Sequence, residues 1–162
     1  MKKYMLIASC ALLLLAAGCK SQSDNEPSAP QPSQQQLATL YGNIERPAWV
    51  VSPDYDLTSS MTAVVRVNLK EQFPALATDF VLTENDLLGA FSGETCLGAI
   101  TPEGELFFLY IAGPAAGGSS SVTLRYYSAH YKNLFEAKDA FPFKNDTQVG
   151  TVSTPFVPSL GL

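Results

Sequence analysis

The stretch 86–112 constrains the fold more than any other part of the sequence, because it holds three short apolar runs separated by turn-forming residues. The separators are Ser-Gly-Glu and Thr-Pro-Glu-Gly-Glu, and the runs between them are rich in β-prone residues. This arrangement predicts a three-stranded meander. The third run, 106–112, is apolar on both faces of a two-residue period, so we expect a central strand with Phe108 in the core.

Further segments with strand character flank this meander. The clearest is 60–69, in which Met61, Val65 and Leu69 share one face and polar residues share the other. A turn of charged residues at 136–139 separates two shorter candidates. The flanking segments are 47–51, 60–69, 122–127, 131–135, 141–143 and 147–156. With the meander they predict an all-β fold, an antiparallel β-sandwich of about seven to eight strands that is immunoglobulin-like or related.

Residues 1–18 have the composition of a bacterial export signal. Two lysines precede an uncharged apolar run, 5–17, that is too short to cross a ~30 Å hydrocarbon core as a helix. The run leads into Leu-Ala-Ala-Gly-Cys, which resembles the lipobox of bacterial lipoproteins. The resemblance implies that the signal peptide is cleaved between Gly18 and Cys19 and that the Cys19 thiol carries a lipid.

Residues 19–38 are rich in Ser, Gln and Pro. Such a composition buries too little apolar surface to offset the entropy lost on ordering, so we expect a flexible tether. It would join Cys19 to a single β-sandwich domain at 39–162. The lipid would anchor the protein in the cell envelope, at the outer membrane, facing either the periplasm or the cell surface.

The charge balance argues against nucleic acid as a partner. The sequence has ten basic and fifteen acidic residues, and cleavage of the signal peptide would remove two of the basic ones. Binding of nucleic acid rests on Lys and Arg contacts to phosphate, so we expect no nucleic-acid partner.

Side chains with catalytic or metal-binding chemistry are sparse. His130 is the only histidine, and Cys96 lies inside an apolar run, where a buried thiol is expected. A pair of carboxylates would suit a glycoside hydrolase, but the acidic residues near the meander fall at strand ends and turns, where solvated charges are expected. These residues are Glu84, Asp86, Glu94, Glu103 and Glu105. We expect no catalytic residues, no metal site and no cofactor, with a carboxylate hydrolase as a minor alternative.

Several landmarks of the domain occur in a characteristic order. Trp49 comes first, then an acidic residue, Ala-Phe, Gly-Glu-Thr-Cys-Leu-Gly at 93–98 and an aromatic-rich strand. This order resembles a small β-sandwich module of Bacteroidetes surface lipoproteins and secreted multidomain proteins, over roughly 45–156. The module commonly has Arg where this chain has Leu97. The resemblance implies a surface or adhesive context and no catalytic residues.

A binding function fits the sequence better than catalysis. Tyr127 shares a strand face with Arg125, and Tyr131 and Trp49 add rings of the kind that protein- and glycan-binding surfaces use. The alternative is that these rings pack in the core or under a loop. The first hypothesis is a non-enzymatic lipoprotein that presents its β-sandwich for protein binding or assembly. The second is a carbohydrate-binding accessory lipoprotein.

We expect the substitution Cys19→Ser to release the protein from the membrane, because the lipid on this thiol is the anchor that the sequence indicates. The measurement is membrane fractionation after a salt wash, with Cys10→Ser as the control that should stay bound. A Cys19→Ser protein that remains in the washed membranes would contradict the prediction.

Overall fold

Eight strands in two sheets make up the part of the chain that the structure, a computed structural model, describes: residues 32–114 and 120–161. The strands are β1 (Tyr55–Val65), β2 (Leu87–Ser92), β3 (Thr95–Ile100), β4 (Phe107–Pro114), β5 (Ser121–Ser128), β6 (Asn133–Pro142), β7 (Gln148–Val149) and β8 (Leu160–Gly161). The helices are α1 (Gln34–Leu40) and α2 (Leu69–Gln72). The small sheet has the order β4-β1-β7 and the large sheet the order β3-β2-β5-β6-β8. The sheets pack together, so the predicted all-β sandwich is confirmed.

The core lies between the sheets and uses alternate residues of their strands. Met61, Ala63 and Val65 of β1 are buried, as the alternation at 60–69 predicts. The large sheet and the neighbouring strand of the small sheet supply the rest. These residues include Leu88, Ala90, Val122, Leu124, Tyr126, Phe107, Leu109 and Ile111. Burying one large apolar side chain contributes about 1.5–3 kcal/mol, so this interlayer is the main source of stability.

The third run of the 86–112 stretch is an edge strand of the small sheet, not the central strand of a meander. β2 and β3 form the predicted hairpin, but β4 leaves it and pairs with β1. Phe107 and Leu109 point inward and are buried, whereas Phe108 and Tyr110 are 42% and 49% exposed. The prediction that Phe108 lies in the core is therefore wrong. A strand with aromatic residues on its solvent-exposed face has the same apolar sequence pattern as a strand that is buried on both faces.

β3 and β4 pass close to each other where the chain changes sheets. A Cβ atom on Gly98 would overlap the carbonyl oxygen of Tyr110. A larger residue would push the two strands apart, so glycine is required for this approach.

The predicted tether ends earlier than residue 38. Ser33 and Gln36 form a capping box, in which the Ser33 hydroxyl accepts from the Gln36 amide and the Gln36 side chain accepts from the Ser33 amide. This cap starts α1, and Leu40 at the end of the helix is fully buried. Burial of Leu40 gives the helix a tertiary contact that composition alone did not indicate.

Two further expectations about strands are wrong. Residues 47–51 form no strand; Trp49 packs its ring over Gly89 of the large sheet, whereas Val50 and Val51 are exposed. The charged segment 136–139 is part of β6, and a register shift against β5 lets it pair with β8.

The signal peptide at 1–18, the cleavage site at Gly18 and Cys19, and most of the predicted tether lie outside the described residues. Within the described ranges, no helix is long and apolar enough to cross a membrane.

Neighbouring phenylalanines in β4 should respond differently to truncation. Phe107→Ala should lower the free energy of unfolding by about 3–5 kcal/mol, because it empties a fully buried site. Phe108→Ala should change it by less than about 1 kcal/mol, because the ring lies on the solvent side. Urea denaturation measures both values, and similar losses for the two variants would show that the inward and outward faces of β4 are misassigned.

Candidate functional site

The outer side of the small sheet carries a row of aromatic and polar side chains. The register places Tyr110 of β4 opposite Thr62 of β1, and Thr62 opposite Gln148 of β7. Phe108 lies two residues along β4 from Tyr110 and therefore on the same face, opposite Val64. We call this surface the open face. It consists of Ser60, Thr62, Val64, Phe108, Tyr110 and Gln148.

Two shallow grooves run along the open face. One has a volume of about 270 Å³, is largely apolar and is lined in part by Val64 and Phe108. The other has a volume of about 260 Å³, is largely polar and is lined in part by Ser60 and Asp146. Tyr110 lines both grooves, and its hydroxyl is 3.0 Å from Ser60 Oγ. The open face thus sets exposed ring surface beside hydrogen-bonding groups.

The tyrosines that the sequence indicated as binding residues are not at a surface. Tyr127 is 5% exposed, and its hydroxyl donates to the carbonyl oxygen of Ile44 at 3.2 Å. Tyr131 is fully buried, and its hydroxyl donates to Asp79 Oδ1 at 2.8 Å. These rings therefore pack in the core or under a loop, which is the alternative that the sequence leaves open.

A segment that we call the strap, residues 41–52, accounts for the burial of Tyr127. Backbone hydrogen bonds fix it at both ends, from Gly42 N to Tyr131 O at 2.9 Å and from Ser52 N to Cys96 O at 3.1 Å. The strap thus lies over the outer face of the large sheet, which would otherwise expose large apolar side chains. On the outer face of the small sheet, Phe108 and Tyr110 are exposed, whereas Val64 and Ala112 on the same face are buried.

Trp49 and Arg125 both contact the Phe91 ring. The Trp49 ring lies 5.1 Å from the Phe91 ring, edge to face, over Gly89, where a Cβ atom would come within 2.7 Å of it. The Arg125 guanidinium carbon lies 4.5 Å from the Phe91 ring centre, and its nitrogens contact both Glu94 oxygens at 2.7 and 3.0 Å. These hydrogen bonds lower the pKa of Glu94. Both candidate residues therefore serve to close the outer face of the large sheet.

Asp86 is not a solvated turn charge as the sequence suggested, because it is fully buried. Its carboxylate accepts from the Tyr126 hydroxyl at 2.8 Å, from Ala129 N at 2.7 Å and from Thr83 N at 3.1 Å. Burial and the nearby carboxylate raise the pKa of Tyr126. A buried carboxylate with this many donors is a structural anchor, since each bond offsets the loss of hydration.

The Asp79 carboxylate contacts three side chains near the start of the strap. Its carboxylate accepts from the hydroxyls of Tyr41 at 2.7 Å and Tyr131 at 2.8 Å, and contacts His130 Nε2 at 3.1 Å. These bonds, that from Tyr41 first, lower the pKa of Asp79 to about 2. The cluster ties the strap to the β5–β6 turn, where His130 lies at the surface as expected.

A third groove, with a volume of about 230 Å³, lies beside Arg66, Lys70 and Glu105. The Arg66 guanidinium is already bound by both oxygens of Glu71, at 3.0 and 3.1 Å. Its charge is therefore paired within the protein, and this groove is a weaker candidate than the open face.

Cys96 is buried as expected, and burial raises the pKa of its thiol. Both facts disfavour a nucleophilic thiolate. In the part of the chain that the structure describes, no three His, Cys, Asp or Glu side chains lie close enough to hold a metal ion.

Sequence reasoning does not identify the open face, because the apolar run 106–112 predicts a strand that is buried on both faces. The segment 60–69, which pairs with this run, carries polar residues such as Thr62 and Arg66 on one face. A strand with one polar face borders a wet surface, so its partner strand must also expose one face.

Acid should weaken the contacts of Asp79. Because its folded pKa lies below the ordinary value of 3.8, its hydrogen bonds stabilise the fold above pH 3.8 and are lost as the pH falls towards 2. The free energy of unfolding should therefore fall more steeply with acid in the wild type than in Asp79→Asn. Urea titrations across this range measure the slopes. Identical slopes for Asp79→Asn and the wild type would contradict the assignment.

No protein-family model, curated protein or solved structure matches the chain.

Proposed function

We propose that this chain is a non-enzymatic, lipid-anchored protein of the cell envelope that binds a partner through its open face. One observation carries the proposal. Phe108 and Tyr110 are 42% and 49% exposed and lie next to each other on one sheet surface. Large apolar side chains grouped on an exposed face are typical of interaction sites.

The sheet beneath holds these rings in place. β4 is paired along its length with β1, and the inward residues Phe107 and Leu109 are packed in the core. The outward rings are therefore presented by an ordered backbone. A partner binds such a surface with less loss of conformational entropy than it would a loop.

The lipid anchor is supported by the sequence. Cys19 follows the apolar run of residues 5–17 and the small residues of a lipobox, and α1 begins at Gln34. The chain between Cys19 and Gln34 spans at most about 50 Å even when fully extended. A domain tethered in this way meets partners within the envelope or at the cell surface, and the outer membrane is the location we propose.

A non-enzymatic role is supported by the side chains with reactive chemistry, which are engaged in the fold. Cys96 and Asp86 are buried, and His130 is bound to Asp79. The exposed face with free surface carries rings, hydroxyls and an amide, which are binding groups.

In-cell photo-crosslinking tests the proposed binding face. Replacing Tyr110 with p-benzoylphenylalanine in the full-length lipoprotein should give a specific adduct in intact cells. The matched control is the same replacement at Val50, which is 78% exposed but lies on the strap. Adducts from position 50 but not from position 110, or from neither, would contradict the proposal.

A further inference from the structure

We infer that the open face binds a neutral glycan, an oligosaccharide or polysaccharide chain without charged groups. This inference rests on the proposed binding function and adds the chemical class of the partner. It follows from the kinds of side chain on the open face, from their spacing, from their charge and from the size of the surface.

The open face combines the two kinds of contact that a sugar ring requires. A pyranose has an apolar C–H face and an edge of hydroxyl groups. Phe108 and the ring of Tyr110 offer flat apolar surface, and Ser60, Thr62 and Gln148 offer hydroxyl and amide groups next to it. The apolar groove and the polar groove meet at Tyr110, so one ligand is able to use both.

The spacing of these groups suits a chain of sugars rather than one small molecule. Phe108 and Tyr110 are two residues apart on one strand, which separates them by about 7 Å along β4. Tyr110, Thr62 and Gln148 are in register across three strands, each about 4.8 Å from the next. Gln148 Nε2 donates to Gly150 O at 2.7 Å, which orients the amide and leaves its oxygen as an acceptor.

The charge of the grooves favours a neutral ligand. No Lys or Arg lines either groove of the open face within the described residues, and Asp146 is the charged residue that does. A polyanion such as a uronate polymer or a nucleic acid would find no cation there and one repelling carboxylate.

The size of the open face favours a glycan over a globular protein. β4 and β1 are paired at eight positions and β7 adds two residues. At about 4.8 Å between strands and about 3.3 Å per residue, these strands cover roughly 300 Å². A stable protein–protein interface uses about 800 Å² from each partner. A glycan chain lying along β4 needs only a strip of this surface.

The test is direct binding of linear hexasaccharides of glucose, mannose, xylose and N-acetylglucosamine to the purified full-length protein in detergent. Hexagalacturonate serves as the acidic comparison. We expect saturable binding of at least one neutral probe and weaker binding of the acidic one. Tyr110→Ala should weaken binding by about tenfold or more.

Two conservative variants separate stacking from general apolar contact. Phe108→Leu keeps an apolar side chain but loses the flat ring, so it should weaken glycan binding nearly as much as Phe108→Ala. Thr62→Val keeps the shape but removes the hydroxyl and should weaken binding several-fold. Val50→Ala, on the strap, should leave binding unchanged, and denaturation midpoints confirm that each variant is folded.

The outcomes distinguish this inference from the proposed function. No binding of any neutral probe, together with a protease-sensitive adduct at position 110 in cells, would overturn the glycan inference and leave the binding face in place. Tighter binding of hexagalacturonate would also overturn it. Absence of both binding and adducts would overturn the inference and the proposed function together.

Discussion

The two sheets of a sandwich have four faces, and packing buries only the inner two. Each outer face must therefore be covered by another segment or carry side chains that suit water. In this protein the two outer faces differ in what covers them. The strap covers the large sheet, where Leu87, Phe91 and Tyr127 would otherwise expose apolar surface. The small sheet has Phe108 and Tyr110 exposed on its outer face, and this is the face that we propose binds a partner.

Buried or bridging carboxylates hold this arrangement together. Asp86 joins the start of β2 to Tyr126 in the core and to the β5–β6 turn. Asp79 joins the same turn to Tyr41 at the start of the strap. These acidic residues connect segments that are distant in sequence, so they stabilise the cover of the large sheet.

The sequence was sufficient to predict the sandwich, the inward alternation of Met61 and Val65, and the burial of Cys96. It was not sufficient to decide which apolar residues face water. Phe108 was expected inside and Tyr127 was a candidate for exposure, and the structure reverses both. The two-residue period shows which side chains share a face of a strand. Whether that face is buried depends on a segment that is remote in sequence. The strap carries no pattern that marks it as a cover, so the sequence leaves Tyr127 of the large sheet as a candidate for a binding surface.

Hydroxyl-radical footprinting of the full-length protein tests most directly which outer face is open. Aromatic side chains react in proportion to their exposure, and the chain has tyrosines on both sheets. We expect rapid oxidation of Tyr110 and Phe108 and protection of Tyr127 and Tyr131. Rapid oxidation of Tyr127 with protection of Tyr110 would contradict the assignment of the open face to the small sheet.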